Sequence, residues 1–197
     1  MTKAFTQNEW TQRLRKGKPV YSLTELMRIS GLPLSSAKRA VQRLVKKGML
    51  LKLGKQLYAN TFVPLDIENA AGMIYPPSYI SLESALLMHG ISEQVPQMLT
   101  CVSTNKTKTF HTALGEIGYF HIKEELFFGY HARDGGFTAQ PEKAALDFVY
   151  IRRMNGLEPS LDEWNWMDLD VDKMISMAKV YPKTVEQHIR KFAPPGK

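Results

Sequence analysis

The chain has 197 residues, with 26 Lys+Arg against 19 Asp+Glu, a single Cys, and 44% hydrophobic residues. That apolar fraction excludes a wholly disordered chain. One Cys excludes an internal disulfide and every multi-Cys zinc or iron–sulfur motif, and no apolar run approaches the roughly 18–20 residues that span a bilayer. The N-terminal stretch MTKAFTQNEWTQRLRKGK has no apolar signal-peptide core, so a soluble, cytoplasmic protein with no membrane partner is expected.

The net charge of +7 is unevenly divided. Residues 1–63 carry 13 Lys+Arg and only two acids, Glu9 and Glu25, a charge of +11; residues 64–197 carry 13 Lys+Arg and 17 acids, a charge of −4. A basic segment of this density points to a polyanionic partner, because each neutralised phosphate releases condensed counterions. The stretch 60–79, NTFVPLDIENAAGMIYPPSY, holds three prolines and no strong periodicity. The chain is therefore divided into a basic domain over 1–63, a linker over 64–78 with room for a short helical piece, and a mildly acidic domain over 79–197.

In the basic domain, Phe5, Trp10 and Leu14 fall at helical spacing and predict a helix over Phe5–Arg15, with Thr6 before it or Asn8 inside it as cap. Ser22 opens a capping box with Glu25, S-L-T-E, ahead of the apolar Leu23, Leu26, Met27 and Ile29. Ser30-Gly31-Leu32-Pro33 turns the chain, and a third helix runs from Leu34 or Ser35 to Lys47, stopped by Gly48. Two helices joined by a short Gly-containing turn are the helix-turn-helix signature. In the third helix, Ala37, Val41, Leu44 and, at the margins, Ala40 and Val45 make an apolar stripe. Ser35, Arg39, Gln42 and Lys46 fall opposite, flanked by Lys38 and Arg43. Arg pairs bidentately with guanine O6 and N7, and Gln with adenine N6 and N7. Ser35, Arg39 and Gln42 are thus candidate base readers. Lys38, Arg43, Lys46 and Lys47 suit phosphates, which position a module without reading sequence.

After Gly48, the segment MLLKLGKQLYANT alternates Leu51, Leu53 and Leu57 with Lys52, Lys55 and Gln56 around Gly54, predicting two short strands and a Gly-containing turn. A hairpin behind a recognition helix is a wing, with Lys52 and Lys55 in reach of phosphate or a minor groove. The expected class is α+β: a winged helix-turn-helix that binds double-stranded operator DNA as monomer or dimer, followed by a small α+β domain.

In the acidic half, Ser81 is placed to cap a helix that ends at Gly90, with Leu82, Ala85, Leu86 and His89 inward. A second helix covers Ala139–Tyr150, with Pro141 in its first turn. Met98–Val102, Gly118–Ile122 and Leu126–Tyr130 are predicted as strands and Gly135-Gly136 as a turn. Residues 170–192 are predicted as one or two helices interrupted near Tyr181-Pro182, and Ala193–Lys197 as a fraying tail.

SLESALLMHGI (Ser81–Ile91) and AQPEKAALDFVY (Ala139–Tyr150), behind a winged helix, resemble the AbiEi antitoxins of type IV toxin–antitoxin and phage abortive-infection systems, over about Ser22 to Arg153. The resemblance implies a winged helix that represses its own operon. It also implies a C-terminal domain that opposes a nucleotidyltransferase-like toxin encoded alongside, with no stable complex between the two required.

Catalytic and metal chemistry finds little support. His111, His121 and His131 recur every ten residues, and His121 and His131 are candidates for neighbouring strands, but no H-x-x-x-H or C-x-x-C pair accompanies them. Cys101 has no basic neighbour within several residues and is expected to be an inert core thiol. Glu142-Lys143 lacks the spacing of a nuclease E-x-K; Glu142 fits a helix-start acid and Lys143 an i,i+4 pair with Asp147. Asp162-Glu163 and Asp168, Asp170 and Asp172, near Trp164 and Trp166, lack the Gly and terminal Glu of an EF-hand loop and suit a helix-initiating turn or a partner surface. No catalytic residue, metal or cofactor is assigned, and a non-enzymatic regulator is expected. Two alternatives stay open: a one-component regulator whose acidic domain senses a small ligand, and an enzyme acting on nucleic acid or nucleotides that is carried on a DNA-binding module.

Overall fold

The computed structural model describes residues 5–133 and 136–194. Gly135 of the predicted turn and Pro195–Lys197 of the predicted tail lie outside them. The chain divides into two compact units, Met1–Ala70 with Phe110–Gly115, and Ala71–Thr109 with Glu116–Lys197.

The first unit opens on α1 (Gln7–Arg15). Its cap is Thr6, whose Oγ1 accepts from the Glu9 N–H at 3.3 Å while Glu9 Oε2 accepts from the Thr6 N–H at 2.6 Å. Phe5 stays outside the helix and packs edge-on against Trp10, ring centroids 5.3 Å apart, as a hydrophobic staple. Strand β1 (Val20–Ser22) follows. Ser22 and Glu25 close a second capping box at the start of α2 (Leu23–Ser30). Gly31 ends that helix at φ 65°, a left-handed position that glycine takes without a Cβ penalty. Then come α3 (Leu34–Lys46), β2 (Leu50–Gly54) and β3 (Leu57–Asn60), the strands forming an antiparallel sheet in the order β1-β3-β2.

Trp10, Leu14, Leu26, Val41, Leu44 and Leu50 centre the core of this unit. Buried Asn60 fastens the end of α1 to the sheet by donating from Nδ2 to the carbonyls of Leu14 (2.8 Å) and Lys18 (3.0 Å). The segment 64–78 contains α4 (Ile67–Ile74), started by Asp66 Oδ1 accepting from the Asn69 N–H at 2.7 Å, with Ala70 and Ala71 buried.

The remaining elements are β4 (Ser78–Ile80), α5 (Leu82–Met88), β5 (Leu99–Ser103), β6 (Lys108–Thr112), β7 (Gly115–His121), β8 (Tyr130–Arg133), β9 (Gly136–Ala139), α6 (Pro141–Met154), α7 (Val171–Ala178) and α8 (Lys183–Phe192). Their strands form one mixed sheet in the order β6-β7-β5-β4-β9-β8. In it β4 runs antiparallel to β5 and parallel to β9, β5 parallel to β7, and β8 antiparallel to β9. Helix α6 packs against α5, α7 and α8, with Ala144, Ala145, Leu146 and Val149 buried. The architecture is α+β.

Two segments depart from the sequence pattern. Leu126–Tyr130 is not a strand: the chain makes a 3-10 turn over Glu124–Leu126, Leu126 is buried, and Phe127 packs against Tyr79 with centroids 5.0 Å apart. The apolar run is spent on packing, and the strand begins only at Tyr130. His121 and His131 are not on neighbouring strands either, since β5, β4 and β9 lie between β7 and β8. Among the described residues no helix is long and apolar enough to cross a membrane.

Candidate nucleic-acid interface

Helix α3 shows two faces of opposite character. Ala37, Ala40, Val41 and Leu44 are buried, whereas Ser35, Lys38, Arg39, Gln42, Arg43 and Lys46 are all exposed. The wing adds Lys52 and Lys55, also exposed. It is built by pairing Leu51 with Ala59 and Lys52 with Tyr58, with a bulge between Lys52 and Gly54. Gly54 closes β2, and the left-handed turn position is taken by Gln56 at φ 60° instead. The Gln56 carbonyl accepts from the Leu23 N–H at 2.9 Å, which ties the wing to the start of α2.

The eight predicted contact residues share a further property. Among the described residues, none of their side chains makes a hydrogen bond or an ion pair. Four other cations of the unit are engaged. Arg13 lies over the Phe5 ring at 5.6 Å and Arg15 over Phe62 at 5.2 Å, Lys18 pairs with Glu25, and Lys47 donates to Gln7 Oε1. Lys47, predicted alongside the phosphate set, is thus the one member held by the protein itself. Both acids of residues 1–63 are occupied in caps, and Lys18 and the Ser22 N–H hold the Glu25 carboxyl down at about 2. The positive field of α3 and the wing is therefore left uncompensated.

Two exposed residues extend this surface beyond the sequence reading. Arg28 lies in the last turn of α2, the helix that crosses the backbone in a docked helix-turn-helix. Leu34 begins α3 and is 49% exposed. The signal for Arg28 is its place in the last turn of the first motif helix. Leu34 gives none, because helical winding aligns it with Val41 and the core.

In the second unit several polar side chains singled out from sequence are engaged in packing contacts. Lys143 and Asp147 form the i,i+4 pair expected from sequence, but both side chains are fully buried. Asp147 Oδ2 accepts from Tyr79 Oη and Ser81 Oγ, each at 2.9 Å, and its Oδ1 accepts from Tyr181 Oη at 2.8 Å and from Lys143 Nζ. Lys143 Nζ also donates to the Leu126 carbonyl at 2.7 Å and to Tyr181 Oη. Burial pulls the Lys143 ammonium below its ordinary range, with Asp147 opposing. The Ser81 side chain, predicted to cap α5, makes no cap bond; its hydroxyl donates to Asp147.

Glu142 accepts from Lys173 Nζ at 2.8 Å and from the Asp170 N–H at 3.2 Å, and Asp170 caps α7 through the Lys173 N–H at 2.9 Å, a helix-initiating turn as expected. Cys101 is fully buried on β5, and burial pushes its thiol well up. Among the described residues no group of three His, Cys, Asp or Glu is placed to hold a metal ion. A cleft of about 580 Å³ is lined by Phe148, Trp164, Arg152, Glu83, Asp162 and Glu163 among others.

The first unit is a winged helix-turn-helix, and the class it defines is that of DNA-binding transcriptional regulators. The family model of the IclR helix-turn-helix domain matches residues 12–54, from the middle of α1 to the end of β2. Among solved structures, the RV2827C protein from Mycobacterium tuberculosis is similar over 97% of this chain and 78% of that one, with a TM-score of 0.58 and 13% identity. At that identity the likeness is one of fold alone. No curated protein matches significantly.

Proposed function

We propose that this protein is an AbiEi-type antitoxin: a non-enzymatic, cytoplasmic autorepressor that binds the operator of its own operon and counters a nucleotidyltransferase-like toxin encoded alongside, without needing a stable complex with it. In this reading Ser35, Arg39 and Gln42 contact base edges, and Lys38, Arg43, Lys46, Lys52 and Lys55 hold the phosphate backbone. The observation that carries the operator-binding half is the set of exposed, unpaired polar and basic side chains on α3 and the wing. The antitoxin half is supported by the two motifs that carry the resemblance. SLESALLMHGI and AQPEKAALDFVY fold as the packed pair α5 and α6, joined by the Ser81–Asp147 hydrogen bond and the Glu83–Arg152 ion pair.

The test has two steps. Binding of the full chain to the DNA upstream of its own reading frame is measured across a salt series, beside a scrambled duplex. Preference for the upstream DNA, with affinity falling steeply as salt rises, is expected; equal weak binding to both overturns operator recognition. Growth is then followed in cells expressing the adjacent toxin, with and without the full chain. Growth restored by the chain is expected, and no restoration overturns the antitoxin role.

A further inference from the structure

The first turn of α3 is built unlike the other helix starts of its unit. Its cap is Pro33, which offers no side chain to the free N–H groups, and no acid occupies the turn. Leu34 stands at the first helical position, half in solvent. The other apolar residues of α3 are buried or partly buried. The helix thus carries its apolar stripe one turn past the place where the core ends, at Ala37, and sets a leucine beside the exposed Ser35.

A single exposed leucine on an ordinary surface needs no explanation. Its position changes the argument, because the reading of α3 as a base-contacting helix, on which this inference rests, brings its N-terminal residues to the base edges. The floor of the major groove is a pattern of donors and acceptors with one apolar feature, the C5-methyl of thymine. A leucine offers no hydrogen bond. Against any polar base edge it would strip water without replacing it, and against the thymine methyl it buries carbon on carbon. We infer that Leu34 reads a thymine methyl group, so that the preferred duplex carries a T·A pair opposite the start of α3.

The test separates this contact from DNA binding as such. The full chain selects sites from a random-sequence duplex library, and each thymine of the selected site is replaced singly by deoxyuridine, which removes the methyl and keeps the hydrogen-bonding edge. One replacement is expected to weaken wild-type binding about fourfold, the worth of one buried methyl. Leu34→Ala should bind the thymine site more weakly by a similar factor and be indifferent to that replacement, while Leu34→Met should remain sensitive. Equal loss by Leu34→Ala on thymine and uracil duplexes overturns the proposal and makes Leu34 a packing residue. If no replacement weakens the wild type while the selected site still outcompetes a scrambled one, the proposal falls and operator recognition stands. If selection yields no common sequence, operator recognition falls and the inference with it. Should Leu34→Ala lose its fold, the wild-type uracil series and Leu34→Met decide the matter.

Discussion

Helices α3 and α6 are of nearly equal length, 13 and 14 residues, and both carry cations, yet they dispose of them in opposite ways. On α3, Lys38, Arg39, Arg43 and Lys46 face solvent, and among the described residues their side chains have no partner. On α6, Lys143 is fully buried and donates three hydrogen bonds, to a carboxylate, a phenol and a carbonyl. A cation without a protein partner keeps its full electrostatic capacity for a polyanion. A cation saturated by the protein has spent that capacity holding elements together. In Lys143 those elements are the turn after β7, α6 and the segment between α7 and α8. Charge counts alone do not separate the two cases; partners do.

The sharpest way to break the comparison is to remove the acceptor in α6. Asp147→Ala leaves the buried Lys143 ammonium without its counter-charge and takes the shared acceptor from the hydroxyls of Tyr79, Ser81 and Tyr181. Breaking one side of a buried pair costs about 3–5 kcal/mol, so denaturant unfolding should show a loss of that order. Lys143→Met leaves Asp147 with its three hydroxyl donors and should cost less. Equal and negligible losses would mean that the network is structurally idle.

On α3 the corresponding changes should leave stability nearly untouched and act on DNA. Arg39→Ala is expected to relax base preference at one position, at a cost of about 1–3 kcal/mol in discrimination. Lys52→Gln is expected to weaken all duplexes alike and to flatten the slope of log affinity against log salt by about 0.9. Binding isotherms on the selected and scrambled duplexes, repeated over salt, distinguish the two. If Arg39→Ala instead weakens every sequence equally, it belongs with the phosphate contacts.

What sequence could and could not show follows the same divide between local and remote. The capping box of Ser22 and Glu25, the stop at Gly48 and the exposed face of α3 are written within one or two helical turns, and the structure has all of them. Strand β1 is three residues long and exists because Val20 and Tyr21 pair with Ala59 and Tyr58, a partnership that no local pattern reveals. Lys143–Asp147 is visible as an i,i+4 pair, but its burial depends on Tyr79 and Tyr181, far away in the chain. Leu34 shows the opposite case: helical winding aligns it with Val41, yet it stands half exposed. The order of the second sheet, which parts His121 from His131, is likewise a tertiary fact.

The smallest expected effect lies at the edge of the basic module, where the carboxyl of Glu25, paired with Lys18, can be titrated. Glu25 is held at about 2 by Lys18, the Ser22 N–H and the Ser22 hydroxyl, against an ordinary value of 4.5. Between about pH 4.5 and about 2 the unfolded chain binds a proton at this site that the folded chain does not. The contribution of Glu25 is therefore complete above that window and is lost as the pH falls through it. The pair is close to solvent, with the Lys18 side chain half exposed, so screening should hold the effect to about 0.2–1 kcal/mol. Glu25→Gln keeps a side-chain acceptor for the Ser22 N–H and removes the titration. Thermal unfolding followed from pH 6 downward should show the wild type losing its small advantage over Glu25→Gln below about pH 4.5, and added salt should narrow the gap at pH 6. A gap that does not change with pH would assign the contribution of Glu25 to the helix cap alone and leave the Lys18 pair without weight in stability.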